Sequence, residues 1–573
     1  VKKIRWWIPA LAIVLCAGLW LGYSYYEMRQ PRLFTAAAQV TGLAVADDGA
    51  VWAATKGGVI RWRAGKAAPE LWTAANDLPA NEVRAVAPDR EGAWIITAAD
   101  LCRIAPDGAL TLCPLPDAGE LRDLIVADGA CYMATSAGVY ARKGESFRRV
   151  LDCDARRLAE LDEDIWVAAD TYLLRLRDGE RRPLPDALGN MTGLDAAGGR
   201  LYLATALGLW SFDGDAWSEI PLPASSRGSH VSALAGDGNS LLAGIYGDGL
   251  YRFDGGRWTA VQAPDSFRRV TALAQGPQGW LAGADGLWER RDDTWRQIRM
   301  PDALPTADVY GIVEYRRALW IATFDRGLLC RRKGAWRAVG RADGLSGDSP
   351  RDLLVFAGRL YTRHSTGEVD CFDGRAWRPA FSKTDLPRQG VYSMAVDGKR
   401  LYLGMWAGWA STDGRSWEHH FKEPALRDQV ITAIAAQGNT VWLGTQKAGL
   451  FAWRNGELRQ YHEAHGLTDD WITRLAVRGD RLLVGTYTGG LLERRGERFA
   501  RVMSAEGFAI RDIAFTAEGG ALVATPLGVY REEGADWRLL DPRTCGGLEV
   551  QTLYPMQSGT WIGTRTALAF LPG

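Results

Sequence analysis

One short pattern recurs through the chain and constrains its fold more than any other feature. It is a strand of the type V-W-x-A/G-T, a glycine-containing turn and a second apolar strand. It reads VWAATKGGVIRW from Val51, LYLATALGLWSF from Leu201, LYTRHSTGEVDCF from Leu360, VWLGTQKAGLFAW from Val441 and WIGTRTALAF from Trp561, with further copies between. The fourteen copies recur about every 39 residues, a propeller-blade period.

Each unit reads as four strands. Strand A is an apolar run such as Val83-Arg84-Ala85-Val86-Ala87, and strand B carries an aromatic (Trp52, Trp94, Trp166, Trp442). Strand C follows a Gly turn. Strand D follows a D-G or N-G hairpin and is often marked by a tryptophan (Trp217, Trp258, Trp336, Trp377, Trp417). These recurring tryptophans are expected to pack between blades. Propellers typically hold four to eight blades, so fourteen units predict an all-β fold of two seven-bladed β-propellers in tandem.

The last unit ends after strand C, and Arg32-Leu33-Phe34-Thr35 resembles a strand D. The preferred closure gives this strand to the seventh unit, and Trp295-Arg296-Gln297-Ile298 to the fourteenth. That places the domains at 32–292 and 293–573, after a stub and anchor at 1–31. The alternative closes one ring with the two ends of the chain and inserts the other.

Lys+Arg and Asp+Glu are equal at 68 each, and 47% of residues are apolar. A disordered chain would be apolar-poor and highly charged. A nucleic-acid binder calls for a basic excess, so no nucleic-acid partner is expected.

Residues Trp6–Tyr26 form a nearly unbroken apolar run preceded by Lys2, Lys3 and Arg5. About 21 helical residues span roughly 30 Å, the thickness of a bilayer core, and the flanking charges place the N-terminus in the cytoplasm. The expectation is an N-terminal transmembrane helix holding the propellers in the periplasm, or at the cell exterior if there is one membrane. A cleaved signal segment is the alternative. Cys102 and Cys113 flank Asp107-Gly108. A two-residue hairpin there would place them opposite each other within disulfide reach, and buried free thiols are the other reading. The cysteine spacings predict neither haem attachment nor a structural zinc site.

The segments Tyr461-His462-Glu463-Ala464-His465-Gly466-Leu467-Thr468-Asp469-Asp470-Trp471-Ile472 and Leu71-Trp72-Thr73-Ala74-Ala75-Asn76-Asp77-Leu78 carry a family resemblance. The unit resembles the two-component-regulator propeller repeat over roughly residues 32–573. That resemblance implies paired seven-bladed sensor domains outside the membrane that bind oligosaccharides. This chain departs from the family's sensors in having no small β-sandwich after the propellers and no kinase or DNA-binding domain.

In a propeller the B–C and D–A loops gather on one face. The B–C loops of the second ring are richer in aromatics beside charged and amide groups. Their candidate ligand-binding residues are Phe324, Asp325, Arg326, His364, Trp406, Trp409, Gln446, Lys447, Tyr487 and Arg565. Stacking faces beside hydrogen-bond donors suit a sugar or an extended peptide, and the cations suit an anion. Trp406 and Trp409 weigh most, because neither sits at a recurring tryptophan position.

Catalysis is poorly supported. Six histidines are present, of which only His364 is placed on the channel face, with no glutamate beside it in the B–C loops. His462-Glu463-Ala464-His465 falls in a D–A loop and reads as solvated rather than metal-binding. No cofactor and no enzyme activity are expected. The leading reading is a membrane-anchored platform for protein interaction or ligand recognition. A periplasmic glycan or small-ligand sensor acting with a separate partner is the second, and an enzyme the third.

Overall fold

The computed structural model describes residues 32–573, apart from short stretches at 67, 99, 116–117, 144–145, 186–188, 227, 277–278, 301–302, 383–384, 387–389 and 505–506. The expected anchor at 6–26 lies outside the described residues. Among the described residues no helix is long and apolar enough to cross a membrane.

The described chain forms fourteen four-stranded antiparallel sheets, as the repeat predicts. Strand B is buried along its length in nearly every blade, as in Val51–Thr55 and Leu401–Met405. Each sheet is covered on both faces by its neighbours, so strand B reads as a continuous apolar run rather than an alternating one, while strand C is buried at its start and turns polar toward its end. Trp52 of the first blade and Ile95 of the second share one such core. The B–C turn brings the chain back against strand D. A Cβ on Gly58 (φ +130°) would lie 2.1 Å from the Trp72 carbonyl oxygen, so only glycine fits.

The chain divides into two compact units, Thr35–Ala307 and Asp308–Gly573 with the N-terminal segment through Phe34. Each holds seven blades whose strands A meet in sequence around a centre. In ring one every blade is built from consecutive strands, Val40–Trp72 through Ala272–Gln297. In ring two, Arg32–Thr35 completes the blade formed by Val550–Met556, Gly559–Thr564 and Ala567–Pro572.

This corrects the preferred closure and its boundary at 292/293: one ring is closed by both ends of the described chain and the other is inserted. The reason is local. Asp292 (φ 45°) and Asp293 (φ 62°) make a two-residue turn that pairs Arg291 with Thr294 and Trp288 with Gln297. That twist suits a tight hairpin and keeps Trp295 in its own blade. Phe34, 3% exposed, instead lies 5.8 Å from Trp336 and 6.1 Å from Trp561.

The expected Cys102–Cys113 disulfide is also corrected. Ala105 pairs with Ala109 around Gly108 (φ +94°), a three-residue rather than two-residue loop. The register shifts by one, so Cys102 faces Leu112 and Leu101 faces Cys113. A one-residue shift moves a side chain to the other face of the sheet. Cys102 joins the core with the first blade and Cys113 the core with the third, both as free thiols.

Candidate functional site

The first turn of strand A carries a β-bulge in most blades, and the bulged residue turns toward the central channel. In ring one these positions build a closed belt. Thr41 donates to the Val83 carbonyl at 2.7 Å, Arg84 to Leu121 at 3.0 Å and Arg122 to Ala155 at 3.3 Å. Arg157, next to the bulged Arg156, donates to Met191 at 3.4 Å, and Thr192 to Val231 at 2.7 Å. Ser232 reaches Val270 at 2.6 Å, and Thr271 returns to Val40 at 2.5 Å. Each link satisfies a backbone carbonyl of the next blade.

The mouth of ring one is a cavity of about 590 Å³ with charged walls. Three of its four arginines are held by carboxylates, and the fourth, Arg157, by the Met191 carbonyl. Arg84 meets Glu120 at 2.9 Å, Arg122 meets Asp154 at 2.5 Å, and Arg156 meets Asp170 at 2.9 Å.

Ring two keeps only part of the belt. Ser393 donates to Ile431 at 2.8 Å, Thr432 to Ile472 at 2.5 Å and Thr473 to Ile510 at 2.7 Å. The corresponding bulge-position residues elsewhere are Tyr310, Arg351, Arg511 and Gln551, and none makes such a link among the described residues. Tyr392, beside Ser393, is 41% exposed.

These residues line a mouth of about 330 Å³, joined by Arg363, Trp471, Arg474 and Tyr487. A second cavity of about 300 Å³, lined by the strands A, continues with Asp352, Arg474 and Asp512. Trp471 and Tyr487 stack at 4.2 Å and 12°. Arg351 lies 4.0 Å from the Tyr310 ring centre and 5.3 Å from that of Phe324.

The two channel carboxylates differ. Asp352 pairs with Arg363 at 2.5 Å. Burial alone would raise its pKa, but the Arg363 and Arg474 charges outweigh that and hold it below the ordinary value. Asp512 is raised, because burial outweighs Arg474 at 3.7 Å and the amides of Leu553 and Ile513.

The ten loop candidates scatter. Tyr487 (44% exposed) lines the mouth, and Phe324 (49%) flanks it. Asp325 and Arg326 lie 3.8 Å apart in the same loop as Phe324. Trp406, half exposed, bridges to Val430, and Gln446 donates its amide to the same residue. Lys447 is exposed. Arg565 pairs with Asp308 at 3.2 Å and Glu549 at 3.0 Å.

Two candidates are corrected outright. Trp409 is 2% exposed and stacks on His420 at 4.0 Å; it fills a strand C position that is apolar in other blades. His364, 1% exposed, points inward and meets Asp370 at 2.7 Å. Asp370 also accepts from the Ser346 amide at 2.7 Å and its hydroxyl at 2.6 Å. Burial works to raise the Asp370 pKa, but these bonds outweigh it and lower it. His462 and His465 sit on a short 3₁₀ turn, and no metal-ligand cluster occurs among the described residues.

Reading the B–C loops alone missed Tyr310, Arg351, Tyr392, Trp471, Arg474 and Arg511. The available signal was departure from the repeat. Strand B ends in a small residue and threonine in most blades but in Arg363-His364 here, and tyrosine stands at the bulge position of strand A at 310 and 392.

No protein-family profile matches the chain, and no curated protein matches it in sequence. Solved structures do. The chain is similar to PorZ, a surface component of the type-IX secretion system of Porphyromonas gingivalis, at 13% identity and TM-score 0.67, covering 94% of this chain and 86% of that one. It is similar to a GH74 xyloglucanase from Xanthomonas campestris at 17% identity and TM-score 0.65, covering 95% and 100%. An extracellular domain of a hybrid two-component system from B. thetaiotaomicron aligns over 93% and 81% at 14% identity, with a TM-score of 0.41. The first two likenesses establish the double-propeller fold and nothing further.

Proposed function

We propose that this protein is an extracytoplasmic recognition module, held at a membrane by residues 6–26, whose ligand enters the mouth of ring two. One observation carries the reading. At the position where ring one ties six of its seven blades into the belt and holds the seventh side chain, Arg156, on Asp170, ring two places tyrosines and arginines that do not stitch blades together. An exposed aromatic outside a structural repeat has no packing role to explain it, and aromatics beside polar groups are the ordinary lining of a binding site.

No catalytic role is proposed for His364, which is buried against Asp370. PorZ, on a similar fold, is a bacterial surface component of a secretion system. That favours an envelope setting and, as a second reading, a protein partner at the same face.

A glycan and metabolite array probed with the wild-type chain and with Tyr392→Ala and Tyr487→Ala tests the proposal. Signals lost in both variants and kept in Leu207→Ala of ring one support it. Signals kept in both ring-two variants, or lost only in the ring-one control, refute it.

A further inference from the structure

We infer that the ring-two mouth selects an acidic saccharide, one whose carboxylate or sulfate groups meet Arg351 and Arg511. This inference rests on the reading of that mouth as the recognition site. The charge count comes first. The mouth and channel are lined by four arginines (351, 363, 474 and 511) and two aspartates (352 and 512), an excess of two positive charges in a chain of formal net charge +0.

The distribution sharpens this. Both carboxylates are taken: Asp352 by Arg363 and Asp512 by Arg474 and backbone amides. Among the described residues neither Arg351 nor Arg511 has a carboxylate within ion-pair distance, and the Arg351 charge acts on Asp352 only more weakly than those of Arg363 and Arg474. Ring one provides the contrast within one molecule: Arg84, Arg122 and Arg156 occupy equivalent positions, and every one has a carboxylate within 3 Å.

The carrier of the anion follows from the aromatics. Arg351 is laid over Tyr310, which orients its guanidinium edge without neutralising it. Tyr392 and the stacked Trp471–Tyr487 pair present faces to the same cavity. A pyranose ring has an apolar face that stacks on such rings, and its acidic substituent lies at the ring edge, where a guanidinium binds it in bidentate fashion. A bare inorganic anion would leave the aromatic faces unused, and a neutral sugar would leave two cations without counter-charge.

Calorimetric titration of the full chain tests this with three probes: a short galacturonate oligomer, the same oligomer fully methyl-esterified, and a sulfated oligosaccharide of similar length. At least one acidic probe is expected to bind, weakened by added salt, with the methyl ester at least tenfold weaker. Arg511→Gln and Arg351→Gln each are expected to cost about ten- to a hundredfold for the acidic probe, the range for a charged hydrogen bond. Arg156→Gln in ring one leaves binding unchanged. The two acidic arms tell carboxylate from sulfate recognition. A methyl ester that binds as tightly as the acid and is lost in Tyr392→Ala overturns the inference while sparing the recognition site. Acidic probes that fail to bind, or that bind both arginine variants normally, overturn the inference, and the array above then decides the site itself. Hydrogen exchange of the ring-two strands, unchanged in the variants, separates lost contacts from lost folding.

Discussion

The blade spanning Pro350–Pro379 carries a polar core that its siblings lack, and undoing it gives a sharp prediction. In most blades strand B ends in threonine, whose hydroxyl closes the B–C turn, as Thr323 does to Gly327 at 2.7 Å and Thr445 to Gly449 at 2.8 Å. Here the position is His364, bonded to the fully buried Asp370. His364→Thr removes one partner of a buried charge, a change that costs about 3–5 kcal/mol. The two bonds from Ser346 remain, which places the cost near 3 kcal/mol, about a hundredfold more frequent local opening at 1.4 kcal/mol per decade. Adding Asp370→Leu restores the apolar residue that other blades carry. Removing both partners of a buried hydrogen bond is commonly near neutral, and Ser346, half-buried, turns to water. The double variant is therefore expected within about 1 kcal/mol of wild type. Native-state hydrogen exchange of peptides covering Arg359–Phe372 reads both. A single variant that exchanges like wild type, or a double variant as open as the single, would refute the reasoning.

Three shorter predictions follow from the same geometry. Thr473→Val leaves the Ile510 carbonyl without its 2.7 Å donor and should lower ring-two stability by about 1–3 kcal/mol in urea titration. Asp195 of ring one is pushed up to about 6 by burial, against the Ala196 and Gly236 amides that pull it down. Its folded pKa exceeds the unfolded value of about 3.9, so the folded blade holds the extra proton. Stability there falls as pH rises from about 4 to about 6 and is flat above, and Asp195→Asn should abolish the slope in hydrogen exchange of peptides around Met191–Thr205. Cys102, its thiol pushed up to about 12 by burial, and Cys113 should resist alkylation in the native protein. Both should label after denaturation without reductant, whereas a disulfide would block labelling until reduced.

The repeat was legible because a blade buries strand B on both faces, which brings the apolar run back blade after blade. Closure was not. Arg32-Leu33-Phe34-Thr35 and Thr294-Trp295-Arg296-Gln297 are equally good strands D, and the choice falls to the Asp292-Asp293 turn and to the aromatic surroundings of Phe34. The site was half legible. Loop aromatics such as Phe324 and Tyr487 stand out in the sequence. Tyr310, Arg351 and Tyr392 lie one residue into strand A, where regular alternation would turn them into the blade. Only the bulge, visible as a register shift between Val309 and Gly311 or Val391 and Ser393, sends them to the channel. Trp409 shows the converse error: a tryptophan outside the recurring positions still filled a core slot, because strand C tolerates any large apolar side chain there.

The most direct test of the central claim is a hydrogen-exchange footprint of the whole chain with and without envelope polysaccharide from its native host. The account predicts protection gathered on peptides containing Arg351–Arg363, Tyr392 and Trp471–Tyr487, and none at the ring-one mouth around Arg84 and Arg156. Protection at the ring-one mouth, or a ring-two mouth that exchanges identically in both states, would contradict it.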